Sequence, residues 1–380
     1  MKIAIVCGHF ISNMGYIEVH LANALHQLNH NIAVFTTSTI PAYVGSLTTI
    51  NDKNIPFKIE RFQADFMLGQ MVKSKKLLPK LNEFNPELVI CIGVGKLFPQ
   101  PIYEQKNPAY KIVTLLGDNE ETYAETYGFI KLKNKLIQII LKKKVYELAI
   151  EKSTVLFPYT PSTNDIITQF INPRLINQLH QKSVEISLGF DEYMFFFNEE
   201  ERISKRKELS LPDDELLIIT ATRVVPEKNL EKIIDIIDEC NQNNISVTYL
   251  IIGFHDDNHG ENLKNYIQQK AFSTKIKTLP FMKAKEVRKY YNAADISIFT
   301  RAAISIFEAL ATGLYLFLPQ QNNLKHILNE KNGSYFNELT TEDIHKIKTS
   351  VTKNREERIT LAKKFNYQNL AKKILLHSEV

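Results

Sequence analysis

Arg223 and Lys228 bracket the short turn Val224-Val225-Pro226-Glu227, directly after the apolar run Leu216–Thr222. An arginine offers a planar fork of donors and a lysine a compact point charge, a pair that suits the oxygens of a diphosphate. Two cations near a helix start also describe an ordinary solvated turn. Downstream, Thr300-Arg301-Ala302-Ala303-Ile304 leads into Ser305-Ile306-Phe307-Glu308-Ala309-Leu310-Ala311, closed by Thr312-Gly313. The backbone amides at such a helix start can hold an anion. Ser305 and Glu308, three positions apart, share one face. The carboxylate could then accept both hydroxyls of a ribose diol while phosphates lie over the helix start. The alternative is that Ser305 caps the helix and Glu308 merely complements its first turn.

The elements that must hold these groups follow a repeated order. Apolar runs predict strands at Lys2–Cys7, Ile32–Thr37, Phe57–Phe62, Leu88–Val94, Lys111–Leu116, Ser153–Phe157 and Val184–Leu188. A second series falls at Leu216–Thr222, Ser246–Ile252, Ile276–Leu279, Asp295–Phe299 and Leu314–Leu318. Amphipathic stretches between them predict helices, among them Tyr16–Leu28, Asn229–Cys240, Gly260–Lys270, Ala284–Asn292 and Ser305–Ala311. Runs such as Val89-Ile90-Cys91-Ile92 are apolar on both faces, as parallel strands covered by helices must be. The pattern predicts doubly wound α/β layers. A chain of 380 residues exceeds one ordinary core. The charged stretch Glu199 to Lys207 marks a change of character, so residues 1–188 and 189–355 are expected as two domains. Residues 356–380 are expected as a terminal helical tail that packs back on the first.

Composition excludes several classes. Hydrophobic residues at 44% and charged residues at 23% are globular values, which rules out large-scale disorder. No apolar run approaches the length of a membrane span, and the opening apolar stretch is too short for a signal peptide. Cys7, Cys91 and Cys240 sit in apolar patterns and read as reduced, cytosolic thiols. The net charge of +5 mildly favours anionic partners. Basic residues lack the interleaved aromatics of a nucleic-acid surface, so no nucleic-acid partner is expected. The P-loop and the G-x-G-x-x-G fingerprint are both missing. No Asp-x-Asp metal motif occurs, Asp118-Asn119-Glu120 being the nearest match, and no bound metal or resident cofactor is expected.

Several ordered segments together resemble the family-four retaining glycosyltransferases of the GT-B fold. They are Gly15-Tyr16-Ile17-Glu18 with Val34-Phe35-Thr36-Thr37, Leu188-Gly189-Phe190-Asp191, Arg223 to Leu230, Tyr290-Tyr291-Asn292-Ala293-Ala294-Asp295, and Ile304 to Leu314. The resemblance implies two Rossmann-like domains facing across a cleft. It also implies metal-independent transfer of a sugar, hexosyl in type, from a nucleotide-diphosphate donor, with retention of configuration. The residues matching Arg223 and Lys228 would grip the diphosphate and the one matching Glu308 the ribose. Gly15 would let the first-domain loop approach the donor. Thr300, Ile304, Ser305 and Phe281 fall where the family contacts donor sugar, phosphate and base. The implied setting is surface polysaccharide or glycoconjugate assembly, with a saccharide or lipid-linked acceptor.

The chain departs from the family in two places. Thr300 stands where the family often has a first glutamate. Gly117-Asp118 stands after the late first-domain strand, where a histidine is common; Asp118 would position an acceptor hydroxyl or act as a solvated loop acid. His9 would lie beside the same site or be an ordinary loop histidine. Residues 131–144 carry six lysines among large apolar side chains. They would lie on an anionic bilayer at the inner face of the plasma membrane, or form the solvated side of a packed helix. Two rival readings share the architecture. One is a degenerate paralogue that binds nucleotide sugar or a partner enzyme without turnover, and the other is a sugar-nucleotide epimerase.

Overall fold

The computed structural model describes residues 1–12, 14–40, 50–118, 132–255, 257–348, 350–351 and 353–378, without the side chains of 132–139. Lys131, most side chains of the basic segment 131–144, and Asn119 and Glu120 therefore lie outside the described residues. The chain divides into two compact units, one of Met1–Leu188 with Tyr367–Val380 and one of Gly189–Asn366.

The first unit is a parallel sheet in the order β3-β2-β1-β6-β7-β8. Its strands are β1 (Lys2–Cys7), β2 (Asn31–Thr37), β3 (Lys58–Phe62), β6 (Leu88–Ile92), β7 (Lys111–Leu116) and β8 (Val155–Pro158). β4 (Phe66–Leu68) and β5 (Met71–Lys73) form a separate antiparallel hairpin that the alternation of long runs did not foretell. Every residue of β6 is buried, and β1 and β2 are buried beyond their first residue. Both faces of this sheet are thus covered. The expected strand at Val184–Leu188 does not form. Val184 and Ile186 donate to Leu156 and Pro158 carbonyls at 2.8 and 3.0 Å, but Pro158 has no N–H to return and the ladder stops at a single bridge.

The second unit repeats the plan in the order β11-β10-β9-β12-β13-β14. Its strands are β9 (Leu216–Ala221), β10 (Val247–Phe254), β11 (Ile276–Pro280), β12 (Ile296–Ile298), β13 (Tyr315–Pro319) and β14 (Gly333–Phe336). The charged stretch is a helix, Glu199–Glu208. Asn198 caps it by accepting the Glu201 amide at 2.9 Å, with acids in its first turn and bases in its last. Two arginines of this helix close on the buried Asp295. Arg202 reaches one carboxylate oxygen at 2.6 Å and Arg206 the other at 3.3 Å, where the Leu217 amide also donates at 3.0 Å. The Tyr290–Asp295 motif therefore anchors the amino end of β12. Arg358 caps the helix–strand turn after Ala311 by donating to the Gly313 carbonyl at 2.7 Å. It belongs to the helix Arg355–Ala362 of this unit, while Tyr367–Ser378 buries Leu370, Ala371 and Ile374 in the core of the first. The terminal segment expected as one tail is thus shared between the units.

Candidate active site

In the strand order of the second unit the direction of winding reverses between β9 and β12. Ligands of open α/β sheets bind beyond the carboxyl ends of the strands at such a reversal. The two chemically interesting segments of the sequence leave the sheet at this place. Arg223–Lys228 follows β9, and Thr300–Glu308 follows β12.

The two segments are tied to one another. The Lys228 ammonium donates to the Ala302 carbonyl at 3.3 Å, and the Thr300 hydroxyl donates to the Lys228 carbonyl. Beneath them, Thr220 donates to the Ile298 carbonyl and Ser297 to the Ile219 carbonyl, both at 2.7 Å. The turn Pro226–Lys228 ends at Asn229 with φ 45°, a left-handed conformation that asparagine tolerates. The following helix begins at Glu231 rather than Asn229. Arg223 is exposed, and its guanidinium makes no hydrogen bond or ion pair among the described residues. It is a cation held at a fixed place with its donors unspent.

Gly253 sets that place, and sequence reasoning missed it. It is the last residue but one of β10, at φ +117°, and a Cβ there would lie 1.9 Å from the Thr222 carbonyl oxygen. Its own carbonyl accepts the Val224 amide at 3.3 Å. Only glycine lets the chain leaving β9 pass this close. The one available signal was a lone glycine near the end of an apolar strand.

Glu308 lies in the first turn of the helix Ser305–Ala311. Its carboxylate forms no ion pair or hydrogen bond among the described residues, and burial pushes it up to about 7. A crowded, unpartnered acid is costly, and hydroxyl donors from a ligand would relieve that cost. Ser305 does not cap this helix. Ile304 occupies the cap position with no side-chain bond, Ser305 is the first helical residue, and its carbonyl accepts the Tyr291 hydroxyl at 3.4 Å. The amides of Ile306 and Phe307 donate to Ala303 and Ile304 carbonyls at 3.3 and 2.9 Å. A helix this short offers an anion local amide groups and little axial dipole.

Phe281 follows β11 and is exposed. Its ring stacks on His255 with centroids 6.1 Å apart. Together with Phe254, Lys264 and Thr278 the two rings line a cavity of about 460 Å³. The cavity opens at the same ends of neighbouring strands as the Arg223 turn. His255 is a further residue that the sequence did not single out.

In the first unit the equivalent reversal lies between β1 and β6. His9 follows β1, is 6% exposed, and contacts the Thr39 hydroxyl through Nδ1 at 3.1 Å. Burial and the nearby Lys96 push its pKa down to about 4. Asp118 follows β7 and accepts the hydroxyl of the buried Tyr146. Glu18, at the start of the first helix, is a half-buried acid pushed up by desolvation and held down in part by Lys96. Gly15 is exposed with no left-handed backbone, and a Cβ there would meet only the His20 ring at 3.5 Å. The fold itself does not demand glycine at this position.

Among the described residues no helix is long and apolar enough to cross a membrane. Comparison with known proteins places this architecture. Residues 201–368 match the family described as Glycosyl transferases group 1. The chain is 27% identical over 176 residues to alpha-monoglucosyldiacylglycerol synthase of Acholeplasma laidlawii, covering 45% of this chain and 43% of that protein. The aligned region is therefore less than half the length of that curated relative. Among solved structures it is similar to HepE of Anabaena in complex with UDP, at TM-score 0.72 and 16% identity over 99% of this chain and 98% of that one. Sucrose-phosphate synthase from Thermosynechococcus elongatus follows at TM-score 0.67 and 15% identity, covering 98% and 97%. These likenesses show the GT-B fold. Two parallel sheets of the same winding, with the basic turn and the Glu308 carboxylate at the reversal of the second, make this a GT-B chain whose residues 201–368 match the family described as Glycosyl transferases group 1.

Proposed function

We propose that the protein moves a hexose from a nucleoside-diphosphate sugar to a saccharide or lipid-linked acceptor in surface glycoconjugate synthesis. The observation that carries this reading is the unpartnered Glu308 carboxylate on the segment that Lys228 and Thr300 tie to the Arg223 turn. One side of the pair lacks hydroxyl donors and the other offers cations to phosphate. The name of the Acholeplasma laidlawii relative supports a glucosyl group and a diacylglycerol-based acceptor, and the UDP held by HepE supports a uridine donor.

In this reading the donor's anomeric C–O bond to phosphate breaks as the acceptor oxygen bonds to the same carbon from the same face. The acceptor proton passes to the departing phosphate oxygen, and configuration is retained. Arg223 and Lys228 take up the charge that develops on the leaving diphosphate, which serves in place of a metal ion. Each contributes about 2–4 kcal/mol of transition-state stabilisation, the usual size for one preorganised donor. Phe281 and His255 face the base, and Ile304 and Ser305 present amides to the phosphates.

Thr300 favours a second reading, a chain that binds nucleotide sugar without turnover, because its hydroxyl is spent on the Lys228 carbonyl and no carboxylate replaces it. One experiment separates these. UDP, ADP and GDP and their glucose conjugates are titrated calorimetrically, and radiolabel is followed from the bound conjugate into lipid and saccharide. Transfer with a retained anomer supports the first reading, and binding with no transfer supports the second. Interconversion of donor sugars without an acceptor would replace both with an epimerase.

A further inference from the structure

The first unit carries an exposed apolar element that the transfer chemistry does not use. In the β4–β5 hairpin, Phe66, Met67 and Leu68 are 42%, 64% and 41% exposed. Successive strand residues point to opposite faces, so consecutive exposure means that both faces of β4 are open. Gly69 turns the hairpin at φ +59°, with nothing near its Cβ position. β5 is anchored instead. Met71 and Val72 are buried, and Val72 lies 3.2 Å from the Cβ position of Gly8. The hairpin thus has a fixed base and an uncovered apolar arm.

Lys73, Lys75 and Lys76 follow at once, and none of them forms an ion pair among the described residues. The adjacent acid, Asp65, accepts the Lys75 backbone amide at 2.6 Å. The basic helix Leu132–Lys152 contributes less free charge than its composition suggests. Lys143 lies 3.9 Å from Glu147 and Lys144 lies 3.4 Å from Glu104. The turn Val94–Lys96 touches both β5 and that helix, so hairpin and helix flank one short segment.

We propose that the β4–β5 hairpin docks the first unit on an anionic lipid bilayer. Phe66, Met67 and Leu68 enter the acyl boundary while Lys73, Lys75 and Lys76 lie against lipid phosphates. An apolar arm beside unpaired cations matches a surface that is anionic outside and apolar beneath. This deepens the reading of a lipid-linked acceptor and rests on it, and it moves the docking element from residues 131–144 to residues 66–76.

The test is cosedimentation of the full chain with vesicles of phosphatidylcholine alone or mixed with phosphatidylglycerol. The wild type is expected to sediment with the mixed vesicles and to be released by salt. Met67→Ser with Leu68→Ser should lower partitioning about tenfold on apolar grounds. Lys75→Glu with Lys76→Glu should lower it at least about fivefold per lysine and weaken the salt dependence. All four positions are exposed, and unchanged melting would confirm folding. The proposal is overturned if the wild type fails to sediment, if both variants sediment as the wild type does, or if Met67→Ser with Leu68→Ser instead dissolves a dimer in solution. Calorimetric UDP binding, read on the same samples, separates this outcome from failure of the transferase reading.

Discussion

The hydroxyl of Thr300 donates to the backbone carbonyl of Lys228, and the Lys228 ammonium returns to the same loop at Ala302, 3.3 Å away. The residue that departs from the family pattern thus holds the basic turn in place. Thr300→Val keeps the shape and removes the tie, so Lys228 should lose its aim while keeping its charge. Diphosphate affinity should fall about three- to tenfold, the scale of one hydrogen bond. Lys228→Ala should cost more, about 30- to 1000-fold in kcat/KM. Calorimetry and steady-state kinetics on both variants check the order. Equal losses would mean that Thr300 touches the ligand itself.

Glu308 titrates near neutrality. Its carboxyl stands at about 7 in the folded chain against an ordinary 4.5, because burial disfavours the charged form. A ligand that donates hydroxyls to it favours ionisation. Nucleoside affinity should therefore rise as pH climbs through about 7 and level off above. Inorganic pyrophosphate, which has no hydroxyl for Glu308, should lack that component. In the free protein the sign is opposite. The folded state holds its proton longer than the unfolded one, so stability from this group declines as pH rises from 4.5 to about 7. Glu308→Gln should raise the melting temperature above neutrality, by the equivalent of about 1–3 kcal/mol. It should also flatten the pH dependence of nucleoside binding. Titrations about one pH unit either side of neutrality would show it.

Two glycines should respond in opposite ways. Gly253→Ala places a Cβ into the Thr222 carbonyl in a left-handed backbone and should destabilise the second unit by about 2–4 kcal/mol. Gly15→Ala meets only the His20 ring at 3.5 Å and should melt as the wild type does. If Gly15 admits the donor, this variant loses transfer with its fold intact. Denaturant unfolding beside a transfer assay distinguishes the two, and a Gly15→Ala protein of full activity would remove that residue from the site.

The parts that were legible in the sequence had a period or a fixed spacing to betray them. The pattern Leu230, Ile233, Ile234 and Ile237 gave a helix within two residues of its observed start, and the runs at β1 and β7 matched in full. Arg223, Lys228 and Glu308 drew attention by residue type and spacing, and the structure ties the two segments that carry them to one another. Gly253 did not stand out, since its reason is a carbonyl on the neighbouring strand. The helix Glu199–Glu208 lacked an apolar stripe, because what it buries is the arginine contact with Asp295. The tie from Thr300 to Lys228 joins loops far apart in the chain, and no local pattern encodes it. His9 had an ordinary loop histidine as its alternative until the fold enclosed it.

The helix Tyr367–Ser378 fills the core of the first unit beside Ile17, Leu21 and Val155. That unit is therefore assembled from both ends of the described chain, and during synthesis its hydrophobic interior stays open until the whole of the second unit has emerged. A fragment ending at Leu188 would expose the apolar groove that this helix fills. Separate expression of the two halves should give a well-behaved second unit and a sticky first one, unless the closing helix is supplied as a peptide or grafted by a linker.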